Sequence, residues 1–317
     1  MSLTVAVQMD PIAGINIAGD STFALMLSAQ ARGHRLFHYG PEDLSQSGDH
    51  VWAEARPVTV QRVVGDHFTL GDPVRLDLGD EADVVLMRQD PPFDLGYITA
   101  THLLERISDR TLVVNDPASV RNAPEKLFVL DYQRFMPPTL ITRSVAEARA
   151  FLEEHGSIVV KPLHGNGGKA IFKIDRDGQN LSSLIEVFNT QYREPHMVQA
   201  FLPAVAQGDK RIVLVDGVVA GAVNRLPGAG EIRSNLAVGG TAAKTELTTR
   251  EREICAALGP ELKRRGLIFV GIDVIGGEWL TEINVTSPTG IVAIERFDGT
   301  DVAGMIWDAI EARVAAG

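Results

Sequence analysis

The stretch Gly271-Ile272-Asp273-Val274-Ile275-Gly276-Gly277-Glu278-Trp279-Leu280-Thr281-Glu282-Ile283-Asn284-Val285 decides how this chain is read. Two apolar runs flank Gly276-Gly277, and a Gly-Gly pair between strand-like runs is a two-residue hairpin signal. A two-residue turn sets Asp273 opposite Leu280. Side chains alternate along a strand, so Leu280, Glu282 and Asn284 share a face with Asp273, with Glu282 on the diagonal roughly 7 Å away. Two carboxylates and an amide on one face are oxygen donors of the kind Mg²⁺ takes. Mg²⁺ favours a few carboxylates plus substrate phosphate oxygens over an all-protein cage, so the pattern points to a metal–nucleotide site. An ordinary exposed hairpin carries acidic residues too, and the hairpin alone leaves both readings open.

Working outward, the 317 residues suffice for a large core and suggest two or three domains. A net charge of −11, from 30 basic and 41 acidic residues, opposes any sizeable footprint on nucleic acid or anionic membrane. The expected partners are therefore small molecules, and an anionic one needs a local basic pocket. The single cysteine, Cys255, rules out an intrachain disulfide and fits a reducing compartment. It lies in the amphipathic stretch 248–265, where a buried helix-face thiol is expected rather than a nucleophile. No apolar run reaches the roughly 18 residues of a membrane span, and residues 1–8 lack the basic start of a leader. A cytoplasmic protein is expected. With no internal repeat or low-complexity tract, the disordered and scaffold classes lose their usual support.

Strand-like runs (3–8, 84–88, 112–115) alternate with helix-like ones (21–32, 97–107), the signature of a parallel α/β sheet. This first domain is expected over residues 1–122. A second unit, 123–201, reads as a short helix from Lys126, a strand at 139–142, a helix at 145–155 capped by Ser144, strands at 157–161 and 170–174, a helix at 181–192 and a strand at 196–201. After a hinge at Leu202-Pro203, the third unit, 202–317, is strand-rich and closes with a helix at 301–314. Within it, residues 226–240 carry four glycines and a proline, which reads as either disorder or a functional lid.

The turn Lys161-Pro162-Leu163-His164-Gly165-Asn166-Gly167-Gly168 joins two apolar strands. Its glycines let backbone N–H groups point at an anion, and a lysine at a strand end supplies a fixed charge. It is neither a Walker A loop nor a dinucleotide fingerprint, since the lysine-serine end is missing and a strand, not a helix, follows. A plain hairpin turn reads the same way, and Lys126 by itself reads as a surface lysine. Both gain meaning from their order: helix-start lysine, strand-end lysine with glycine loop, hinge, basic strand, carboxylate hairpin.

In that order the chain resembles the ATP-grasp carboxylate–amine ligases, and more narrowly bacterial glutathione synthetase. The resemblance covers essentially the whole chain. It rests on Val7-Gln8-Met9-Asp10-Pro11-Ile12 with Ile15-Asn16, on Leu86-Met87-Arg88-Gln89-Asp90-Pro91-Pro92-Phe93-Asp94, and on Glu125-Lys126-Leu127-Phe128. Further matches are Gly208-Asp209-Lys210-Arg211, Gly266-Leu267-Ile268-Phe269-Val270-Gly271-Ile272-Asp273 and Leu280-Thr281-Glu282-Ile283-Asn284-Val285-Thr286-Ser287-Pro288. The resemblance implies an ATP-grasp fold, a parallel α/β domain followed by two α+β subdomains that sandwich a nucleotide. It implies joining of γ-glutamylcysteine and glycine at the expense of ATP, with two Mg²⁺ ions, for which Mn²⁺ can substitute, and a homotetramer or homodimer.

Carried over residue by residue, Lys126 and Lys161 contact the nucleotide phosphates and Gly165, Gly167 and Gly168 fold over them. Gln199, Ala200, Phe201 and Leu202 form the hinge that reads adenine, with Asp209 near the ribose. Asp273, Glu282 and Asn284 hold the metal. Arg211, Arg225 and Arg233 serve the acyl phosphate and peptide substrate, with Lys161 counted among the catalytic groups. Asp10, Asn16, Arg88, Ser287, Pro288 and Thr289 line the substrate side. The chain departs from the family pattern at His164 and Asn166, where an acidic residue and a methionine are usual, and at Phe201, where tyrosine is usual. Loop kinetics and ATP affinity are the properties these changes touch.

The chemistry fits the residue types. Activating a carboxylate by phosphoryl transfer needs positioning and charge neutralisation but no protein nucleophile, and the chain shows no convincing Ser-His-Asp or Cys-His set. The acyl phosphate is prone to hydrolysis, which gives a lid at 226–240 a water-excluding purpose. Alternatives are another ATP-grasp ligase, a nucleotide-binding regulatory protein of that fold without turnover, and a two-domain sugar or amino-acid binding protein. Substrate choice carried by the Met9-Asp10-Pro11 and Arg88-Gln89-Asp90 matches argues against the first, the intact lysines and carboxylates against the second, and the carboxylate hairpin against the third.

Overall fold

A computed structural model describes residues 2–228, 231, 234 and 240–316 of the chain. The opening apolar run forms β1 (Thr4–Gln8), buried at every position, as a parallel strand covered on both faces must be. Asp20 caps α1 (Ser21–Ala31) by accepting from the Phe23 N–H, and the chain returns in β2 (Arg35–Tyr39), parallel to β1. There follow β3 (Leu44–Ser47), β4 (His50–Val60), β5 (Phe68–Leu70) and β6 (Val74–Asp77), all paired antiparallel to or through β4. Then β7 (Val84–Met87), α2 (Leu95–Glu105) and β8 (Leu112–Val114) resume the parallel order. The eight-stranded sheet runs β3-β4-β2-β1-β7-β8, with β5 and β6 also on β4. Its centre is the expected parallel α/β sheet. The antiparallel edge is an addition, and β4 shows its cause: Val51, Ala53 and Ala55 are buried while Glu54 is exposed, the alternation of a strand solvated on one side.

After α3 (Pro117–Arg121) and α4 (Glu125–Phe128) comes a second sheet. It comprises β9 (Thr139–Thr142), α5 (Val145–His155), β10 (Ile158–Pro162), β11 (Phe172–Ile174), α6 (Leu181–Gln191) and β12 (His196–Ala200), ordered β11-β10-β12-β9. Ser144 caps α5 as expected, accepting from the Glu147 N–H. Ala148, Leu152, Ile185 and Phe188 of the two helices cover Ile158, Val160 and Val198 on one face of this sheet. Its other face is left for the site.

The third sheet holds β13 (Asp209–Val215), β14 (Val218–Leu226), β15 (Thr241–Ala243), β16 (Phe269–Ile275) and β17 (Trp279–Asn284), ordered β15-β14-β13-β16-β17. Between β15 and β16 runs α7 (Thr249–Arg264), started by a capping box of Thr248 and Glu251. Cys255 is buried on this helix, as expected, and burial pushes its thiol up to about 12, which makes it inert at neutral pH. At Gly259 and Gly217 the backbones of α7 and the β13–β14 turn touch, and a Cβ on Gly259 would meet the Gly217 oxygen at 2.3 Å. The chain ends in α8 (Ile291–Asp298) and α9 (Val302–Ala316).

Three links are among those that hold these parts together. The fully buried Trp307 of α9 packs against α1 and donates its indole N–H to the Leu25 carbonyl at 2.8 Å. At roughly 25 cal/mol per Å² over about 200 Å², that burial contributes at most about 5 kcal/mol. The Asn115 side chain, after β8, donates to the Phe269 and Val285 carbonyls and accepts from the Phe269 N–H. Phe128, Val129 and Phe135 share a core with Leu280 and Ile283, which fixes Lys126 over β17.

The hairpin register differs from the expected one. Ile275 pairs with Trp279, so the turn has three residues, and both Gly276 and Gly277 adopt positive φ. Val274 pairs with Leu280, and a bulge then absorbs Thr281. Leu280 therefore enters the core instead of facing the site. Asp273 lies directly opposite Glu282, where Cβ atoms are about 5 Å apart, rather than on a diagonal.

Candidate active site

The second and third sheets face each other across a cleft of about 340 Å³. From the second sheet come Lys161 at the end of β10, the glycine loop and the hinge residues Gln199, Ala200, Phe201 and Leu202. From the third come Asp209 and Arg211 of β13, Arg225 of β14, Asp273 of β16, and Glu282 and Asn284 of β17. Alternation on β13 explains why Asp209 and Arg211 face the cleft while Lys210 points away, to the buried Glu251 at 2.7 Å. Gly167 and Gly168 have φ of +62° and +74°, conformations that free their N–H groups to turn inward at little steric cost.

Two clusters of charge face each other. In the first, Glu282 Oε1 lies 3.4 Å from Lys126 Nζ and 3.5 Å from Lys161 Nζ. Lys126 also donates to the Gly165 carbonyl at 2.7 Å, which ties α4 to the glycine loop. Burial would lower the Lys126 pKa, but Glu282 and Glu125 outweigh it and hold the ammonium form. For Lys161 burial wins, reinforced by Lys126 and opposed by Glu282, and its pKa falls.

In the second cluster Arg211 grips Asp273 with Nε–Oδ1 at 2.6 Å and Nη2–Oδ2 at 3.0 Å. Arg225 Nη2 bridges Asp273 at 3.0 Å and Asp209 at 2.6 Å. Burial acts to raise the Asp273 pKa, and the two guanidinium groups overturn it, leaving the carboxyl well below its usual range. Glu282, likewise buried, is held ionised by its lysines. Asn284 Nδ2 sits 3.5 Å from Asp273 Oδ2. Two carboxylates kept ionised and an amide, on adjacent strands and facing one cleft, make a donor set of the hard-oxygen type that Mg²⁺ takes.

Of the substrate-side residues, Ser287 and Thr289 line the cleft. Arg88 is buried beneath it, donating to the Pro288 carbonyl at 2.9 Å, while Ser287 donates to the Arg88 carbonyl. Asp10 is exposed and accepts from the Asp90 N–H at 2.7 Å. Asn16 is exposed, its side-chain oxygen accepting from the Ala18 N–H, and does not line the cleft. Arg233 lies outside the described residues, as does much of 226–240. Ser234 is described and donates to Asp209 at 3.0 Å. Glu125, Asp90 and Ser234 are among the cleft residues that the sequence reading leaves unassigned. Burial, reinforced by Glu282 and opposed by Lys126, pushes Glu125 up to about 7. Both Glu125 and Asp90 stand inside the motifs that carry Lys126 and Arg88.

Residues 3–121 match the family model of the prokaryotic glutathione synthetase N-terminal domain, and residues 125–299 that of the prokaryotic glutathione synthetase ATP-grasp domain. The chain is 61% identical over 315 residues to a glutathione synthetase of Rhodopseudomonas palustris, covering 99% of this chain and 100% of the relative. It is 60% identical to that of Bradyrhizobium diazoefficiens, with the same coverage. Among solved structures it is similar to a D-cycloserine synthetase, with a TM-score of 0.70 at 17% identity over 98% of this chain and 99% of that one. It is also similar to a RimK domain ATP-grasp protein of Sphaerobacter thermophilus, with a TM-score of 0.61 at 19% identity over 96% and 98%. These two likenesses establish the ATP-grasp fold, and the full-length matches go further: the chain belongs to the prokaryotic glutathione synthetase family.

Proposed function

We propose that the chain joins γ-glutamylcysteine to glycine, converting ATP to ADP and phosphate and releasing glutathione. The observation that carries this reading is the convergence of two lysines, a glycine loop, two arginines and three metal-type donors on one cleft. The carboxylate of the dipeptide takes the γ-phosphoryl group as the bond to ADP breaks. The glycine amine then attacks the acyl carbon, its C–N bond forms, phosphate leaves and the surplus proton passes to solvent. Lys126, Lys161 and the backbone of 165–168 neutralise and hold the phosphates, the electrostatic positioning on which phosphoryl transfer depends. Arg211 and Arg225 face the charge that develops on the acyl phosphate, with Arg233 assigned the same duty. Gln199 to Leu202 hold adenine against the apolar wall, and Asp209 stands at the ribose. Asp273, Glu282 and Asn284 would hold Mg²⁺, two ions, or Mn²⁺ in its place, which lowers the cost of charge on the transferred phosphoryl group. Ser287, Pro288, Thr289 and Arg88 shape the dipeptide side, with Asp10 acting through Asp90, and Asn16 is assigned to the same side by the resemblance alone.

Three units, 1–122, 123–201 and 202–317, divide these duties. We assign the protein to the cytoplasm as a homotetramer or homodimer. A buried free thiol supports the compartment, and no helix among the described residues is long and apolar enough to cross a membrane. A monomer in sedimentation would refute the assembly. Phosphate release with ATP, Mg²⁺, γ-glutamylcysteine and glycine, omitting each in turn, tests the reaction. Full turnover should need all four. Full-rate ADP and phosphate with D-alanine alone, or AMP and pyrophosphate as products, would overturn it.

A further inference from the structure

His164 stands at the head of the glycine loop, and its ring stacks on Phe93 with centroids 5.8 Å apart and 25° between the planes. Phe93 in turn packs on the buried Tyr97 at 5.3 Å. The segment carrying Phe93 is itself pinned, since Asp94 caps α2 by accepting from the Tyr97 N–H. Pro91, Pro124, Leu163 and Thr286 close around the imidazole in a small cavity. His164 Nδ1 is buried and has no hydrogen-bond partner among the described residues. An unpartnered buried nitrogen is a cost, so stacking and apolar contact hold this ring in place, not hydrogen bonding.

The charged groups around the ring are Glu194, ahead of β12, and Lys126 and Glu125 on α4. Burial favours the neutral imidazole, Glu194 opposes it and Lys126 reinforces it, so the pKa lies below the ordinary histidine value.

We propose that His164 is a positioning residue whose ring, stacked on Phe93, latches the glycine loop to the 90–94 segment, so that phosphate loop and substrate wall keep one relative position. The inference rests on reading the loop as phosphate-binding. A loop with glycines at 165, 167 and 168 has much backbone freedom to lose on closing. The stack on one side and the Lys126 bond to Gly165 on the other remove part of that freedom before nucleotide arrives. The latch needs the neutral ring, so it should weaken as pH falls below about 6.5, where an unlatched histidine takes up its proton.

A double-mutant cycle of His164→Ala and Phe93→Ala tests this with two readouts: amide hydrogen exchange of residues 163–169 in the ligand-free protein, and KM for ATP. Each single variant should speed exchange in the loop and raise the ATP KM on the order of fivefold, the size of one aromatic contact, and the double should be no worse than either. His164→Phe should restore both readouts and abolish the rise in ATP KM that the wild type shows on acidification. Multiplicative effects of the two alanines, or unchanged loop exchange, would overturn the latch. Coupled exchange with an unmoved ATP KM would uphold the contact and count against the phosphate-loop reading instead.

Discussion

Replacing Glu282 by glutamine removes the one negative charge on which Lys126 and Lys161 both rest. The ammonium nitrogens lie 3.4 and 3.5 Å from Oε1, and the lysine side chains are 4 and 7% exposed against 19% for Glu282. Unit charges at that separation attract by roughly 5 kcal/mol at an effective dielectric constant of about 20, most of it offset by what burying the ions costs. Stripping one partner from a buried pair costs a net 3–5 kcal/mol or so. The lower end, about 3 kcal/mol, applies here, because Lys126 keeps Glu125 at 3.6 Å and the Gly165 carbonyl at 2.7 Å. Lys161 has no such reserve, since Glu282 is the main group opposing its burial. Its pKa should fall further in the variant. A lysine with a depressed folded pKa binds fewer protons folded than unfolded, so stability rises with pH until the unfolded amine also titrates. Urea unfolding should therefore show a deficit of about 3 kcal/mol at pH 7 that shrinks toward pH 9.5, and turnover of the folded variant should fall at least on the order of a hundredfold. A wild-type urea midpoint would remove the ion-pair reasoning. Wild-type turnover at ordinary Mg²⁺ would remove the metal assignment.

Lys161→Ala tests the phosphate contact, because its Nζ is buried at the strand end beside the glycine loop. The loss of one preorganised charge should lower kcat on the order of a hundredfold, and undiminished kcat and ATP affinity would contradict the role. Glu125→Gln tests the pushed-up carboxyl. Folded Glu125 retains a proton that the unfolded chain releases between about pH 4.5 and 7, so wild-type stability falls as pH rises through that window. The Tm of the glutamine variant relative to wild type should climb from pH 5 to pH 8, and a constant difference would refute the pKa shift. Gly259→Ala should destabilise by about 1–3 kcal/mol despite alanine's better helix propensity, since the new methyl meets the Gly217 oxygen at 2.3 Å. An unchanged or raised Tm would show that the backbone contact yields.

Side-chain parity and motif order make most of the cleft legible in the sequence. Lys161 ends a strand where the glycines begin, Asp209 and Arg211 alternate outward from Lys210, and Asp273, Glu282 and Asn284 occupy alternate positions. Parity assigns faces, however, and register depends on the turn. The run Leu280-Thr281-Glu282 reads as regular alternation, and nothing local says that Thr281 is the bulge. What decides it is that Leu280 can reach the core beside Val274 and Ile283, a gain of about 2 kcal/mol that regular pairing would forfeit by turning leucine toward the cleft. The antiparallel edge is hard to read for a related reason: β3, β5 and β6 are only 4, 3 and 4 residues long, and what organises them is their common pairing with β4. Asp10 and Asn16 rest on resemblance alone, and the structure puts both at exposed positions, with Asp10 one hydrogen bond behind Asp90. The arginine clasp on Asp273 is the clearest case of chemistry beyond local pattern. Arg211, Arg225 and Asp273 come from three strands, and only the order β14-β13-β16 brings their side chains onto one carboxylate. That same order keeps the buried carboxyl ionised, so the sheet topology, not any one motif, holds Asp273 in the form that the proposed metal role would need.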